Sequence, residues 1–324
     1  MFWAGRVSKK HDGSYNGIGA EGDAEDVVQD RRRIKEKEKM ATFYNQATLS
    51  FGGETLNSNI TEAELLSGLS ITKTAVTPIY GAGGNAVYTV TLSNMGSVPY
   101  SDLSVTDDLG AYTLGGGGTA VPLSYVSGSV LYYINGVLQA APVVTTVGNL
   151  EFSGIDVPAG GVATLVYEVE ANEFAPLAAG SDITNTASVD GGAGVGVLTD
   201  TATISVREEP RLTIAKAVCP AVITDNSEVT YTIIVQNLGN VPITATDGVI
   251  IGDTFNPILT DITVTLDGVA LVAGTGYNYD PATGVFTTTD GTVTVPAATF
   301  TQDPATGAFT TTPGVTVLTV TGTL

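Results

Sequence analysis

The chain has 324 residues and a formal charge of −20 at pH 7, room for two or three domains of ordinary size. So acidic a chain is ill suited to nucleic acid or to anionic membrane surfaces, and no apolar run is long enough to insert across a bilayer. Thr, Val, Gly and Ala dominate in short runs between Gly, Pro, Asn and Asp turns, which predicts an all-β protein.

Residues 1–39 stand apart. They hold nine of the 13 Lys and Arg, the lone His (His11) and the lone Trp (Trp3), with neither strand nor helix period. No apolar segment follows the basic residues, so no signal peptide is recognisable. Lys35-Glu36-Lys37-Glu38-Lys39 leads into Met40, and Lys-Glu can be encoded by AAGGAG, the purine-rich ribosome-binding sequence found just upstream of bacterial start codons. The stretch reads as translated leader with Met40 as the true start; a charged disordered tail is the alternative. Beyond it the chain carries 25 acidic and four basic side chains.

Residues 40–68 form a strand-bearing segment. Phe43–Ser50 reads as one strand, with Phe43, Asn45, Ala47 and Leu49 on one face. A second copy lies at Ile183-Thr-Asn185-Thr-Ala187-Ser-Val189, where it closes a domain. Asn45 precedes Asn185 by 140 positions.

Two repeats follow, 69–207 and 208–324. Leu69-Ser-Ile-Thr-Lys73 matches Leu212-Thr-Ile-Ala-Lys216, and Tyr88…Asn94-Met-Gly96-Ser-Val-Pro99 matches Tyr231…Asn237-Leu-Gly239-Asn-Val-Pro242, both offset by 143. Val105-Thr-Asp107 matches Ile251-Gly-Asp253, Val157-Pro-Ala159 matches Val295-Pro-Ala297, and Thr164–Val169 matches Val317–Thr321. The first repeat continues through Asn185 to a last strand at Thr201–Val206; the second shows no counterpart before Leu324. Phe43–Ser50 and Ser58–Leu66 match the missing piece. The second repeat also carries an insert in which Asp280-Pro-Ala-Thr-Gly284 recurs as Asp303-Pro-Ala-Thr-Gly307. These predict two hairpin turns, with Pro setting φ and Gly supplying φ > 0, and fall short of a calcium loop. Cys219 is alone, so no disulfide forms within the chain, and it is expected to be buried in a strand.

These residues are similar to the bacterial surface "conserved repeat domain", domain of unknown function eleven. The resemblance rests on Ile-Thr-Lys73 (Ile-Ala-Lys216), the Tyr-Thr strands ending in Asn-x-Gly-x-Val-Pro, Val-Thr-Asp107 and Asn185-Thr-Ala, and covers most of 41–324. It implies tandem immunoglobulin-like β-sandwiches in a cell-surface protein. Strand number and turn spacing point the same way.

Catalysis by His has no residue to use beyond 39, and no Cys–His pair, nucleophile elbow or phosphate loop is present; Gly115–Gly118 reads as a flexible loop. Nothing calls for a metal or other cofactor, and turnover as an enzyme has no support. Two lysines remain after Met40, Lys73 and Lys216, at the same point of each first strand. With Asp107 and Asn185, Lys73 resembles the Lys–Asp–Asn set of bacterial adhesin domains that form intramolecular isopeptide bonds. Burial yields a neutral nucleophilic amine and a protonated Asp that donates to the Asn carbonyl. A buried Lys–Asp ion pair, or a lysine snorkelling at a sandwich edge, is the alternative. Lys216 and Asp253 lack a matching Asn in their own repeat, and Asn45 of another subunit would complete that set.

The sequence thus suggests a structural surface subunit that joins head to tail with copies of itself, the front segment of one chain completing the second repeat of the next. Only Ser67-Gly68 separates that segment from the first repeat, while the second repeat lies roughly 30 Å away, so folding back within one chain is geometrically poor. A cell- or spore-surface location suits this reading. A monomeric adhesive module binding an unidentified surface ligand is the competing one.

Overall fold

A computed structural model describes residues 42–64, 68–192, 195–222 and 227–324; the expected leader lies outside them. The chain is all-β, with tandem immunoglobulin-like sandwiches of which the second is incomplete. It divides into two compact units.

The first unit contributes a two-stranded hairpin. β1 (Thr42–Asn45) pairs with β4 (Thr61–Glu64), and β2 (Thr48–Phe51) with β3 (Glu54–Asn57). Gly52 and Gly53 make the turn at φ 58° and 90°, a region other residues rarely enter. The single strand expected over 43–50 is interrupted at Gln46-Ala47. There the Ala47 N–H donates to the Ser58 hydroxyl at 3.0 Å and its carbonyl accepts from the Ser58 N–H at 2.9 Å. The return strand carries one residue more than the outgoing one, the signature of a bulge. Asn45, Ala47 and Leu49 are all exposed.

The second unit holds both sandwiches. In the first, β5 (Leu69–Ala75), β6 (Asn85–Asn94), β7 (Tyr100–Asp107), β8 (Leu150–Val157), β9 (Val162–Ala171), β10 (Asp182–Asp190) and β11 (Val197–Val206) are the principal strands. One sheet runs Leu131–Ile134, β9, β6, β5; the other runs β8, β7, β10, β11. Alternation buries one face of β6, where Ala86, Tyr88, Val90 and Leu92 enter the core, while β8 changes phase between Phe152 and Ile155.

The second sandwich begins with β12 (Leu212–Cys219), β13 (Glu228–Asn237), β14 (Gly252–Thr254) and β15 (Thr260–Leu266). It continues with β16 (Tyr277–Asp280), β17 (Val285–Thr288), β18 (Thr299–Gln302), β19 (Phe309–Thr312) and β20 (Gly314–Thr323). One sheet runs β12, β13, β20, β15, with Val269–Ala270 at its edge; the facing sheet has three strands, β14, β17, β16. Among the described residues the second sandwich has no counterpart of β10 or β11.

Both Asp-Pro-Ala-Thr-Gly segments turn hairpins, β16–β17 and β18–β19. Their glycines sit at φ 74° and 82°, while Asp280 and Asp303 accept from the backbone N–H groups of Ala282 and Ala305. The β18–β19 hairpin also reaches the first sandwich. The Gln302 amide donates to the Tyr112 hydroxyl at 2.6 Å, and the Phe309 N–H to the Glu173 carbonyl at 2.9 Å.

The repeated Asn-x-Gly motif is structural. Buried Asn94 accepts from the Gly96 N–H at 2.9 Å and donates to the carbonyls of Val98, Val157 and Pro158. Asn237 does the same for Gly239 and Val241, and also accepts from the Arg211 N–H. At Gly239 a Cβ would stand 2.1 Å from the Glu209 carbonyl oxygen, so no other residue fits. Asn94→Ala strands several buried backbone groups and is expected to lower stability by about 2–3 kcal/mol, measured by chemical denaturation.

Candidate functional site

The structure brings Lys73, Asp107 and Asn185 into the core of the first sandwich, all buried. Lys73 comes from β5 in one sheet; Asp107 and Asn185 come from β7 and β10 of the other, where Asp107 lies opposite Ala187. The Lys73 Nζ donates to Asp107 Oδ2. It also lies 4.7 Å from the ring centroid of Tyr88 and 6.0 Å from that of Tyr167, a cation–π arrangement. Burial pulls the Lys73 pKa below its ordinary value, while the adjacent Asp107 carboxylate opposes that shift.

Asp107 is held from several sides. Its Oδ2 also accepts from the Tyr167 hydroxyl, and its Oδ1 from the Leu109 N–H at 2.9 Å. On the far side, the backbone N–H of Lys73 donates to Asp200 of β11 at 2.8 Å. Burial, and then the negative charge of Asp107, push both Tyr88 and Tyr167 above the usual phenol range.

Asn185 is the anomaly. It is completely buried, yet neither its side-chain oxygen nor its nitrogen makes a hydrogen bond, and the buried Tyr88 hydroxyl makes none either. The two lie close enough for the Asn185 amide to oppose the upward shift of Tyr88, without reaching hydrogen-bond geometry. A buried amide left this way costs about 1–3 kcal/mol for each unsatisfied group.

In the second sandwich Lys216 forms an ion pair with Asp253 Oδ2, although that oxygen has no hydrogen-bond partner, and the Lys216 Nζ lies 4.4 Å from the ring centroid of Tyr231. The surroundings are otherwise inverted. Leu69 and Ile71 are 2% and 6% exposed, but their counterparts Leu212 and Ile214 are 41% and 66% exposed. The Lys73 side chain is 0% exposed and that of Lys216 is 40% exposed. The cause is topological. In the first sandwich β11 packs over β5 and β10 pairs with β7; β12 has no such cover, and β14 pairs with β17 alone among the described strands. The result is a groove with an apolar floor and an unpaired sheet edge. The expectation of a buried Cys219 fails as well: it is exposed, on the face of β12 opposite Leu212, Ile214 and Lys216, and its counterpart Val76 is exposed in the closed sandwich too.

Asn45 and its neighbours lie on the hairpin. Asn45 stands opposite Thr61, as Asn185 stands opposite Ala202. The counterparts of Asn45, Ala47 and Leu49 in β10 are Asn185, Ala187 and Val189, all buried.

The site that fold and residues define is that of a two-sandwich protein, one sandwich closed around a Lys–Asp–Asn cluster and the other open at the matching place. No protein-family model matches the chain, and no curated protein matches it. Among solved structures, it is similar to the full-length major pilin SpaD from Corynebacterium diphtheriae. That likeness has 10% identity and a TM-score of 0.36, covering 85% of this chain and 83% of that one. It is also similar to BcpA, the major pilin subunit of Bacillus cereus, with 14% identity and a TM-score of 0.33, covering 84% and 73%. These likenesses are distant.

Proposed function

We propose that this chain is a self-assembling structural subunit of a bacterial cell- or spore-surface fibre. The hairpin 42–64 of one copy fills the open groove of the next, adding the two strands that the second sandwich lacks. The observation that carries this reading is the contrast between the closed and open sandwiches, Leu69 and Ile71 against Leu212 and Ile214. A two-stranded hairpin alone is marginally stable in water, and an open sheet edge invites strand addition. Each element supplies what the other lacks. The contact is heterologous, so it propagates into filaments.

Inside the first sandwich the cluster is suited to an isopeptide bond. A proton moved from Lys73 to Asp107 yields a neutral amine and a carboxylic acid, the forms that burial favours. The amine attacks Asn185 Cγ, the Nζ–Cγ bond forms, the Cγ–Nδ2 bond breaks, and ammonia leaves with the proton that Nζ gives up through Asp107. Asn185 then has the partner it lacks as a free amide. At the junction between subunits, Asn45 would meet Lys216 beside Asp253 and seal the polymer by the same chemistry.

The seal is tested on fibres of residues 40–324 boiled in detergent. A ladder of multimers is expected, and Asn45→Ala or Lys216→Ala should collapse it to single subunits while the fibres persist. A ladder unchanged by both substitutions would contradict the seal.

A further inference from the structure

The two Lys–Asp pairs differ in one group that the repeat alignment does not mark. In the first sandwich Tyr167 of β9 lies opposite Tyr88 of β6, and its hydroxyl donates to Asp107 Oδ2. In the second, the residue opposite Tyr231 is Val320, which has no hydroxyl. Asp253 instead accepts at Oδ1 from the Thr254 N–H at 2.8 Å, and Phe255, 5.2 Å from the Lys216 Nζ at its ring centroid, closes that side.

We propose that Tyr167 is the positioning residue that arms the first cluster to crosslink as the sandwich folds, and that Val320 leaves the second unarmed until a partner's hairpin arrives. The inference rests on the isopeptide reading above and adds to it an order of events. The Tyr167 hydroxyl and the Leu109 N–H grip the two oxygens of Asp107 from opposite sides and fix the carboxyl plane. The same Oδ2 contacts Lys73, so the proton-transfer path from Nζ is held in line before the amide is attacked. Tyr167 touches neither bond that forms or breaks. At Asp253 this second grip is absent. The carboxyl keeps freedom that only a fully packed groove removes, so bond formation is deferred to assembly.

The charged or titratable groups facing Asp107 are Lys73 from β5, Asp108 beside it, Tyr88 from β6 and Tyr167 from β9, with Asp200 of β11 beyond Lys73. Tyr167→Phe keeps the ring, which packs 5.0 Å from Phe152 and 6.0 Å from Tyr88, and removes the hydroxyl alone. Full-length protein is recovered unreacted in denaturant, refolded across a range of pH, quenched at intervals and weighed intact. Wild type should lose one ammonia as it folds. Tyr167→Phe should fold normally but lose it about ten- to a hundredfold more slowly, the range expected for one hydrogen bond to a charged group. A purely packing role, which the retained ring still serves, would leave the rate of ammonia loss at the wild-type value. If wild type keeps its ammonia, the isopeptide reading fails and the role of Tyr167 with it. If wild type loses it and Tyr167→Phe keeps pace at every pH, the role of Tyr167 alone is overturned.

Discussion

Deleting residues 41–66 is expected to turn a filament-forming chain into a soluble monomer, and that monomer should cap filaments of residues 40–324. The reasoning is one of matched deficits. The open groove leaves Leu212 and Ile214 exposed and β14 unpaired on one edge. The hairpin offers Phe43, Ala47 and Leu49 at the positions that Ile183, Ala187 and Val189 fill in the closed sandwich. Burying each of the larger side chains contributes about 1.5–3 kcal/mol, and the strand ladder adds hydrogen bonds now made to water. A subunit without the hairpin keeps its groove, so it accepts a neighbour and offers nothing onward. Ile214→Asp separates assembly from folding. Ile214 is exposed in the free subunit, so the monomer should fold with stability changed by no more than about 0.5 kcal/mol, whereas a charge on the groove floor should abolish filaments. Electron microscopy and denaturation of the same sample read both effects.

The largest effect within one subunit is expected from Asp107→Ala. Lys73 is wholly buried, and Asp107 is the carboxylate its ammonium contacts. Without Asp107 the isopeptide bond should not form, and intact mass should rise by one ammonia relative to wild type, after correction for the substitution. The amine then stays in the core without its counter-charge, a condition that costs about 3–5 kcal/mol. Lost covalent closure and lost pairing act together, so the thermal midpoint of the first sandwich should fall steeply. A variant with the wild-type bond would contradict the assignment of Asp107.

The tandem sandwiches and the contact of each lysine with its aspartate were legible in the sequence because the two repeats share their strand motifs. The paired lysines, the Asn-x-Gly turns and the displaced copy of β10 all keep nearly constant spacing. The Asp-Pro-Ala-Thr-Gly segments likewise carry their own turn chemistry. What stayed hidden depends on partners distant in sequence. Tyr167 reads as an ordinary inward strand tyrosine, and only the register of β9 against β6 brings its hydroxyl to Asp107. The break in the hairpin comes from the Ser58 side chain reaching Ala47, which no alternation of apolar residues reveals. Cys219 is exposed because it falls on the outward face of β12, as Val76 does just past the end of β5. Nothing in the second Asp-Pro-Ala-Thr-Gly segment announces that Gln302 will reach Tyr112 of the first sandwich.

The most direct test of head-to-tail complementation is to titrate the segment 41–66, as a separate chain, into protein lacking it, and to read the amides of β12 and β14 by hydrogen exchange. One-to-one binding with new protection along both strands is the predicted result. No binding at any concentration, with residues 40–324 monomeric throughout, would contradict it.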